Sequence, residues 1–118
     1  MLSFGAPPRT ARPGREQGVV RRAAGWYRGD LHAHTTDSSD AWRSGSGLDP
    51  DEYAAAARDA GRDWVSLTDH NVTSQNRRLA DSAGDRGVLL MGGEEMTNWF
   101  HGHAIVTSLR PGEWVDWR

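Results

Sequence analysis

Residues 26–34 read WYRGDLHAH, a short stretch whose polar side chains gather at its C-terminal end. This arrangement predicts a β-strand that begins near the point where chain order is expected to start, at Gly25. Because His32 and His34 are two residues apart, both rings should point to the same side of the strand. The stretch therefore predicts a sheet that presents two imidazoles at the end of its first strand.

The residues that follow alternate between predicted strands and helices. A helix has Asp49 as its N-cap and Pro50 at its first position, and it stops at Gly61. Residues 37–47 are predicted to be a loop, and a weaker helix is predicted over residues 74–83. Further strands are predicted at residues 64–68, 87–91 and 104–109, and another element from Trp114. The order strand–helix–strand–helix–strand indicates an α/β fold with a parallel sheet.

Histidines and carboxylates fall at the ends of these predicted strands. His70 ends the second strand, and Glu94 and Glu95 end the third. In a parallel α/β sheet or barrel the C-terminal strand ends lie on one face, which is where active sites are found. We therefore expect these residues to meet His32 and His34 in one place.

His103 begins the fourth predicted strand and needs a separate argument. The link from Glu95 to His103 is only residues 96–102, whereas a parallel crossover takes about a dozen residues or more. The third and fourth strands should therefore pair antiparallel, which brings His103 back beside Glu95. His101 lies in the connecting loop and is predicted to be a surface histidine.

The composition of the 118-residue chain excludes several kinds of site. There is no cysteine, so disulfides, thiolate metal sites and a cysteine nucleophile are excluded, and a metal would be held by histidine and carboxylate. All 14 basic residues are arginine, which excludes Schiff-base chemistry and a P-loop lysine. The length is that of one small domain.

The charge and hydropathy of the chain indicate where the protein is located and what it binds. Residues 1–25 carry five arginines and one glutamate, or +4, while the remainder carries 9 arginines and 15 acids, or −6. We expect residues 1–24 to be a disordered arginine-rich tail, and the acidic body predicts no nucleic-acid partner. No apolar run approaches the ~18 residues of a membrane span, and the start lacks a secretory signal. We therefore expect a cytoplasmic chain with no membrane partner.

Five segments resemble, in order, the motifs of the PHP (polymerase and histidinol phosphatase) superfamily: GDLHAHT at 29–35, SD at 39–40, LTDHN at 67–71, GEEMT at 93–97 and GHA at 102–104. The opening GWYRGDLH and the TDHN segment are most similar to its CehA/McbA-like metallohydrolase branch. The resemblance implies a partial distorted (β/α)7 TIM-like barrel of which about four strands are present. Residues 25–118 would be the N-terminal part of that domain.

The resemblance also implies a set of metal ligands. They are His32, His34, Asp40, His70, Glu95 and His103. Glu95 is preferred to Glu94 because GEEMT fits the pattern Gly-x-Glu-x-Thr. Asp40 is favoured by its Ser-Asp context, with Asp37 as the rival. We expect Asp69 to orient His70 rather than to bind metal.

Such a site implies two or three divalent metal ions, and imidazole and carboxylate suit zinc, manganese or iron. Metals of this kind lower the pKa of a bound water toward ~7 and polarise a scissile bond. The sequence thus predicts a metal-dependent hydrolase acting on a small-molecule phosphoester. Ester or carbamate hydrolysis, and metal binding without turnover, are the alternatives.

The predicted site has few donors in its second half. After His103 the sequence contains no further histidine, and a TIM barrel typically takes about 250 residues. We therefore expect a fragment of a larger hydrolase that, alone, binds metal weakly and shows little turnover. An open sheet edge near Ile105 and Val106 would favour self-association.

Overall fold

The structure is a computed structural model that describes residues 23–79 and 87–116. The described residues form β1 (Gly29–Ala33), α1 (Ser39–Ser44), α2 (Pro50–Asp59), β2 (Trp64–Leu67), a 3₁₀ helix (Ser74–Arg77), β3 (Leu89–Asn98) and β4 (Gly102–Thr107). The strands make one four-stranded sheet in the order β1-β2-β3-β4. The fold is therefore mixed α/β.

The pairing of the strands agrees with the sequence. β1 is parallel to β2, β2 is parallel to β3, and β3 is antiparallel to β4. The short link between β3 and β4 thus forms a hairpin, as its length predicts. This confirms the parallel order and the antiparallel return of the last strand.

The third strand is longer than expected, which corrects the placement of two residues. Glu94 and Glu95 lie inside β3 rather than at its end, because β3 continues to Asn98 beyond the last residue of β2. That extension is paired with β4, from Met96 opposite Ala104 to Asn98 opposite Gly102. The hairpin satisfies backbone groups that β2 does not reach.

The predicted loop over residues 37–47 contains the short helix α1, which is a second correction. Asp40 lies in its first turn, Ala41 is buried, and the helix ends at Gly45 with a φ of 67°. Glycine adopts this left-handed conformation without a Cβ penalty, so it closes the helix. The first part of the helix predicted over residues 74–83 is the 3₁₀ helix, and residues 80–83 lie outside the described part.

The helix α2 forms as its start signals predict. The Asp49 side chain accepts from the Glu52 backbone N–H, and the Glu52 side chain accepts from the Asp49 N–H, with Pro50 in the first turn. This reciprocal capping satisfies two N–H groups that the helix cannot pair internally. Small side chains on one face, Ala54 and Ala57, let the helix approach the sheet closely.

The core lies between α2 and the sheet. It consists of small and branched apolar side chains that are nearly or fully buried: Ala54, Ala57, Val65, Leu67, Leu79, Val88 and Leu90. The largest fully buried side chain, that of Leu67, lies on the central strand β2. The core thus fixes the strand whose end carries His70.

Two expectations concern the ends of the chain. The tail predicted over residues 1–24 lies outside the described residues except for its last two positions. The described residues 114–116 form no helix or strand. In the described ranges, none of the helices has the length and apolar character needed to cross a membrane.

Replacing Leu67 by alanine should test this core. Leu67 has no exposed surface, so Leu67→Ala should lower the free energy of unfolding by about 2–5 kcal/mol, measured by urea denaturation. The matched control is Leu31→Ala on neighbouring β1, where the side chain is 58% exposed and the loss should be within about 0.5 kcal/mol. Equal losses in the two variants would contradict the assigned core.

Candidate metal centre

The first two histidines are placed by an irregularity in β1. The register shifts between Asp30 and Ala33, because β1 has one more residue in this interval than the facing part of β2. The His32 backbone N–H donates to the Asp30 side chain at 3.1 Å. A bulge of this kind re-aims side chains. The rings of His32 and His34 consequently meet edge to face with centroids 4.6 Å apart.

Neighbouring hydroxyl groups fix both residues further. The His32 Nδ1 atom lies 2.8 Å from the Thr68 hydroxyl at the end of β2. The Tyr53 hydroxyl donates to the backbone carbonyl of His34 at 2.6 Å. A contact from α2 therefore holds the backbone that carries His34.

The backbone of Glu95 is tied to the segment that carries His70. Beyond the last paired residues of β2, His70 and Glu95 form an isolated parallel bridge. The Glu95 N–H donates to the Asp69 carbonyl at 3.0 Å, and the Asn71 N–H donates to the Glu95 carbonyl at 3.0 Å. This bridge sets His70 beside Glu95 even though β2 has already ended.

Glycine at position 93 permits the close approach of these strands. A Cβ there would lie 2.6 Å from the Val106 carbonyl oxygen and 2.7 Å from the Thr68 methyl carbon. Any side chain would therefore push β3 away from its neighbours on both sides. This is the physical reason for glycine in the GEEMT segment.

Four imidazoles converge on the carboxylate of Glu95, which is only 6% exposed. Its Oε2 atom lies 2.8 Å from His34 Nε2, 3.3 Å from His70 Nδ1 and 3.5 Å from His32 Nε2. Its Oε1 atom lies 2.6 Å from His103 Nδ1. Thus a residue from β3 gathers histidines from β1, the end of β2, and β4.

Asp40 is the aspartate that the structure brings to the histidines. Its Oδ2 atom lies 2.9 Å from His34 Nδ1 and 3.9 Å from His70 Nε2, and Ser38 donates to its other oxygen at 2.5 Å. Burial raises the pKa of Asp40, but hydrogen bonds from Ser38 and His34 outweigh it and hold that pKa well below its usual range. Asp40 is therefore held as an anion at the rim of the cluster.

The rival aspartate, Asp37, is engaged elsewhere. One of its oxygens lies 2.7 Å from the Arg78 guanidinium and the other accepts from Ser74 at 2.7 Å. These contacts join the start of α1 to the 3₁₀ helix. Both oxygens of Asp37 are thus occupied away from the imidazoles.

The carboxylate of Asp69, which we expected to orient His70, lies against the turn after β1. Its two oxygens accept from the Thr35 backbone N–H at 2.5 Å and the Thr35 hydroxyl at 2.6 Å. The residue is fully buried, and burial raises its pKa against the hydrogen bonds from Thr35. Although Asp69 directly precedes His70, its side chain thus supports the segment that follows β1.

Glu94 and His101 lie apart from the cluster. Glu94 is buried, and its side chain accepts from the Val115 backbone N–H at 2.9 Å. The alternation along β3 turns it away from the face that carries Glu95. His101 is exposed in the hairpin loop.

Two buried atoms of the cluster have no hydrogen-bond partner within the described residues: His34 Nε2 and Glu95 Oε2. They are 2.8 Å apart, but their geometry is not that of a hydrogen bond. Buried polar atoms are normally paired, so this pair requires an explanation. A cation between an imidazole lone pair and a carboxylate oxygen would satisfy both.

The donor set also fits a metal. Three overlapping groups in the described chain offer ligand atoms within 4.8 Å of one another: His32, His34 and Glu95; His34, Asp40 and His70; and His70, Glu95 and His103. All six residues that the sequence resemblance implies as ligands fall in these groups. The residues present are thus compatible with divalent cations.

Sequence reasoning did not assign roles to the groups that orient these side chains. Thr68 and Thr97 contact histidine rings, and Asn71 holds the backbone of Thr97; each belongs to a segment already singled out for another residue. Tyr53 lies on α2, and helical spacing alone gives no sign of its contact with the His34 backbone. Hydroxyl and amide contacts of this kind depend on distances between strands that residue spacing does not give.

The fold and the donor set define an α/β protein with a candidate metal centre, and comparison with solved structures finds a similar one. It is the crystal structure of a two-domain protein from Bacteroides vulgatus containing a predicted PHP-like metal-dependent phosphoesterase. The TM-score is 0.60 at 23% sequence identity, and the match covers 77% of this chain and 29% of that chain. This likeness shows a shared fold. No protein-family model matches the sequence, and no curated protein matches it.

The raised pKa of Asp69 predicts how stability depends on pH. A carboxyl whose pKa is raised by folding contributes stability that is fully present below its unfolded pKa of about 3.9 and is lost as pH rises through the folded pKa. The free energy of unfolding of the wild type, relative to Asp69→Asn, should therefore fall as the pH rises above about 4. Urea denaturation at a series of pH values measures it. A difference that rises with pH would contradict the assignment.

Proposed function

We propose that this chain carries the metal centre of a PHP-type hydrolase that acts on a small-molecule phosphoester. The observation that supports this most is the buried Glu95 carboxylate, which is surrounded by four imidazole rings and leaves one oxygen without a hydrogen bond. A carboxylate in such a place needs a cationic partner, because isolated buried charge is costly. Divalent cations held by imidazole and carboxylate supply that charge.

The proposed ligands are His32, His34, Asp40, His70, Glu95 and His103. Glu95, His34 and His70 each belong to two of the three groups, so the groups overlap. Neutral imidazoles with carboxylates suit zinc, manganese or iron. When bound, such cations supply a Lewis acid that polarises a scissile bond and lowers the pKa of a nearby water.

The exposure of the ligands indicates from which side a substrate would arrive. The side chains of Glu95 and His34 are mostly buried, whereas those of Asp40 and His103 are 52% and 57% exposed. The centre is therefore closed at its base and open at its rim. The rim residues would border the substrate, and the base residues would hold the cations.

Finer assignments belong to the same proposal. Similarity to the CehA/McbA-like branch is supported by the GWYRGDLH and TDHN segments. The (β/α)7 barrel, and the placing of residues 25–118 as its first part, are supported by the order of the five motifs along the sequence. If the branch assignment is right, an ester or carbamate is the substrate in place of a phosphoester.

Metal binding without turnover is a second candidate function. The match covers 29% of the solved two-domain chain, so this chain corresponds to only part of that protein. The groups of ligands in the described residues are three donors each, which leaves positions open on each cation. The chain would then bind metal and contribute one part of a site.

Replacing Glu95 tests whether this residue, rather than its neighbour Glu94, binds metal. Glu95→Gln should weaken Zn²⁺ binding by about 100-fold or more. Replacing a residue that only orients metal ligands typically weakens binding by about 10- to 100-fold. The matched control is Glu94→Gln on the opposite face of β3, where the amide oxygen can still accept from the Val115 N–H. Isothermal titration calorimetry measures both. Equal affinities in the two variants would contradict the assignment of Glu95.

Hydrolysis is tested by loading the chain with Zn²⁺ or Mn²⁺ and offering it a generic phosphomonoester and a generic aryl ester. We expect weak turnover of the phosphomonoester, which disappears on addition of a chelator and in the Glu95→Gln variant. Cleavage of only the aryl ester would support the CehA/McbA-like alternative. Bound metal with neither ester cleaved would contradict the hydrolase and support metal binding without turnover.

A further inference from the structure

The hydroxyl group of Thr97 lies between two of the clustered histidines. Its Oγ1 atom is 2.5 Å from His70 Nδ1 and 3.1 Å from His103 Nδ1. Thr97 also faces His103 directly across the hairpin, as its partner in the β3–β4 register. The third contact of the hydroxyl is to the Glu95 backbone carbonyl, to which it donates at 3.4 Å.

The hydrogen-bond capacity of a hydroxyl determines what the two rings must do. A threonine hydroxyl has one hydrogen to donate and two lone pairs that accept. When the hydroxyl hydrogen is donated to the Glu95 carbonyl, both lone pairs face the two Nδ1 atoms, which then act as N–H donors. The other atom beside His70 Nδ1, Glu95 Oε2 at 3.3 Å, is also an acceptor. The surroundings of this ring thus favour the Nδ1–H tautomer.

Asn71 holds the backbone of Thr97 in this position. Its side-chain amide donates to the Thr97 carbonyl at 3.0 Å and accepts from the Thr97 N–H at 2.7 Å. Asn71 has a φ of 52°, the left-handed region that asparagine tolerates better than most residues. It directly follows His70 in the chain. One residue therefore sets the distance between the His70 segment and the Thr97 hydroxyl.

We propose that Thr97, held by Asn71, is a positioning residue that fixes His70 in its Nδ1–H tautomer and so leaves the Nε2 lone pair free to bind a metal. The inference rests on the proposed function only in treating His70 as a ligand. The partner of one ring nitrogen decides which nitrogen is offered to a metal. Here the offered atom, Nε2, faces Asp40 Oδ2 at 3.9 Å. His70 then belongs with Asp40 rather than with Glu95.

The tautomer can be observed in the metal-free protein by long-range ¹H–¹⁵N NMR of the histidine rings at about pH 8, above the ordinary pKa of histidine. We expect the Nδ1–H pattern for His70 in the wild type and in Thr97→Ser, which keeps the hydroxyl. In Thr97→Val the Nε2–H form should become populated. The control, Thr107→Val, makes the same change in β4 and should leave the pattern unaltered. An Nε2–H pattern in the wild type overturns the inference whether or not the valine variant folds.

Metal affinity gives the second readout. Thr97→Val should weaken Zn²⁺ binding about 10- to 100-fold, and Thr97→Ser should restore it to within a few-fold of the wild type. Full affinity in a folded Thr97→Val protein would overturn the inference. If the Nδ1–H pattern is present and responds to Thr97→Val but the wild type binds no metal, the positioning inference is supported and the hydrolase proposal fails.

Discussion

The contact on which the rest of the structure depends is the gathering of four imidazole rings around the Glu95 carboxylate. Their nitrogens lie between 2.6 and 3.5 Å from its oxygens, in a place where the carboxylate is almost wholly removed from water. Such a group is stable only when it is paired. The long β3 strand, its glycine at position 93 and the bridge to His70 all serve to bring this one side chain to the histidines.

Much of the site follows from residue order, because the parallel strands β1 and β2 deliver His32, His34 and His70 to one end of the sheet. The short link before His103 likewise fixes the antiparallel hairpin. The extent of β3 did not follow, since its outer half is paired by β4 and not by β2. Periodicity describes one strand at a time, whereas the length of a strand depends on which neighbour continues beside it.

The aspartates show why side-chain roles are harder to read than positions. Asp37 and Asp40 are three residues apart, yet one pairs with Arg78 and the other with His34. Asp69 precedes His70, but its carboxylate bonds to Thr35 in another segment. Burial dominates at Asp69 and raises its pKa, whereas hydrogen bonds dominate at Asp40 and lower its pKa. An aspartate thus holds a buried turn at Asp69 and remains an anion at the rim of the cluster at Asp40. Only tertiary contacts distinguish these two roles.

The central claim is that the cluster around Glu95 holds divalent cations. It is tested most directly by anomalous diffraction from crystals of this chain soaked in Mn²⁺ or Zn²⁺. The account predicts an anomalous peak about 2.0–2.3 Å from both His34 Nε2 and Glu95 Oε2, the two buried atoms that lack a hydrogen bond. A metal-soaked crystal with these two atoms in direct contact and no peak between the histidines and Glu95 would contradict it.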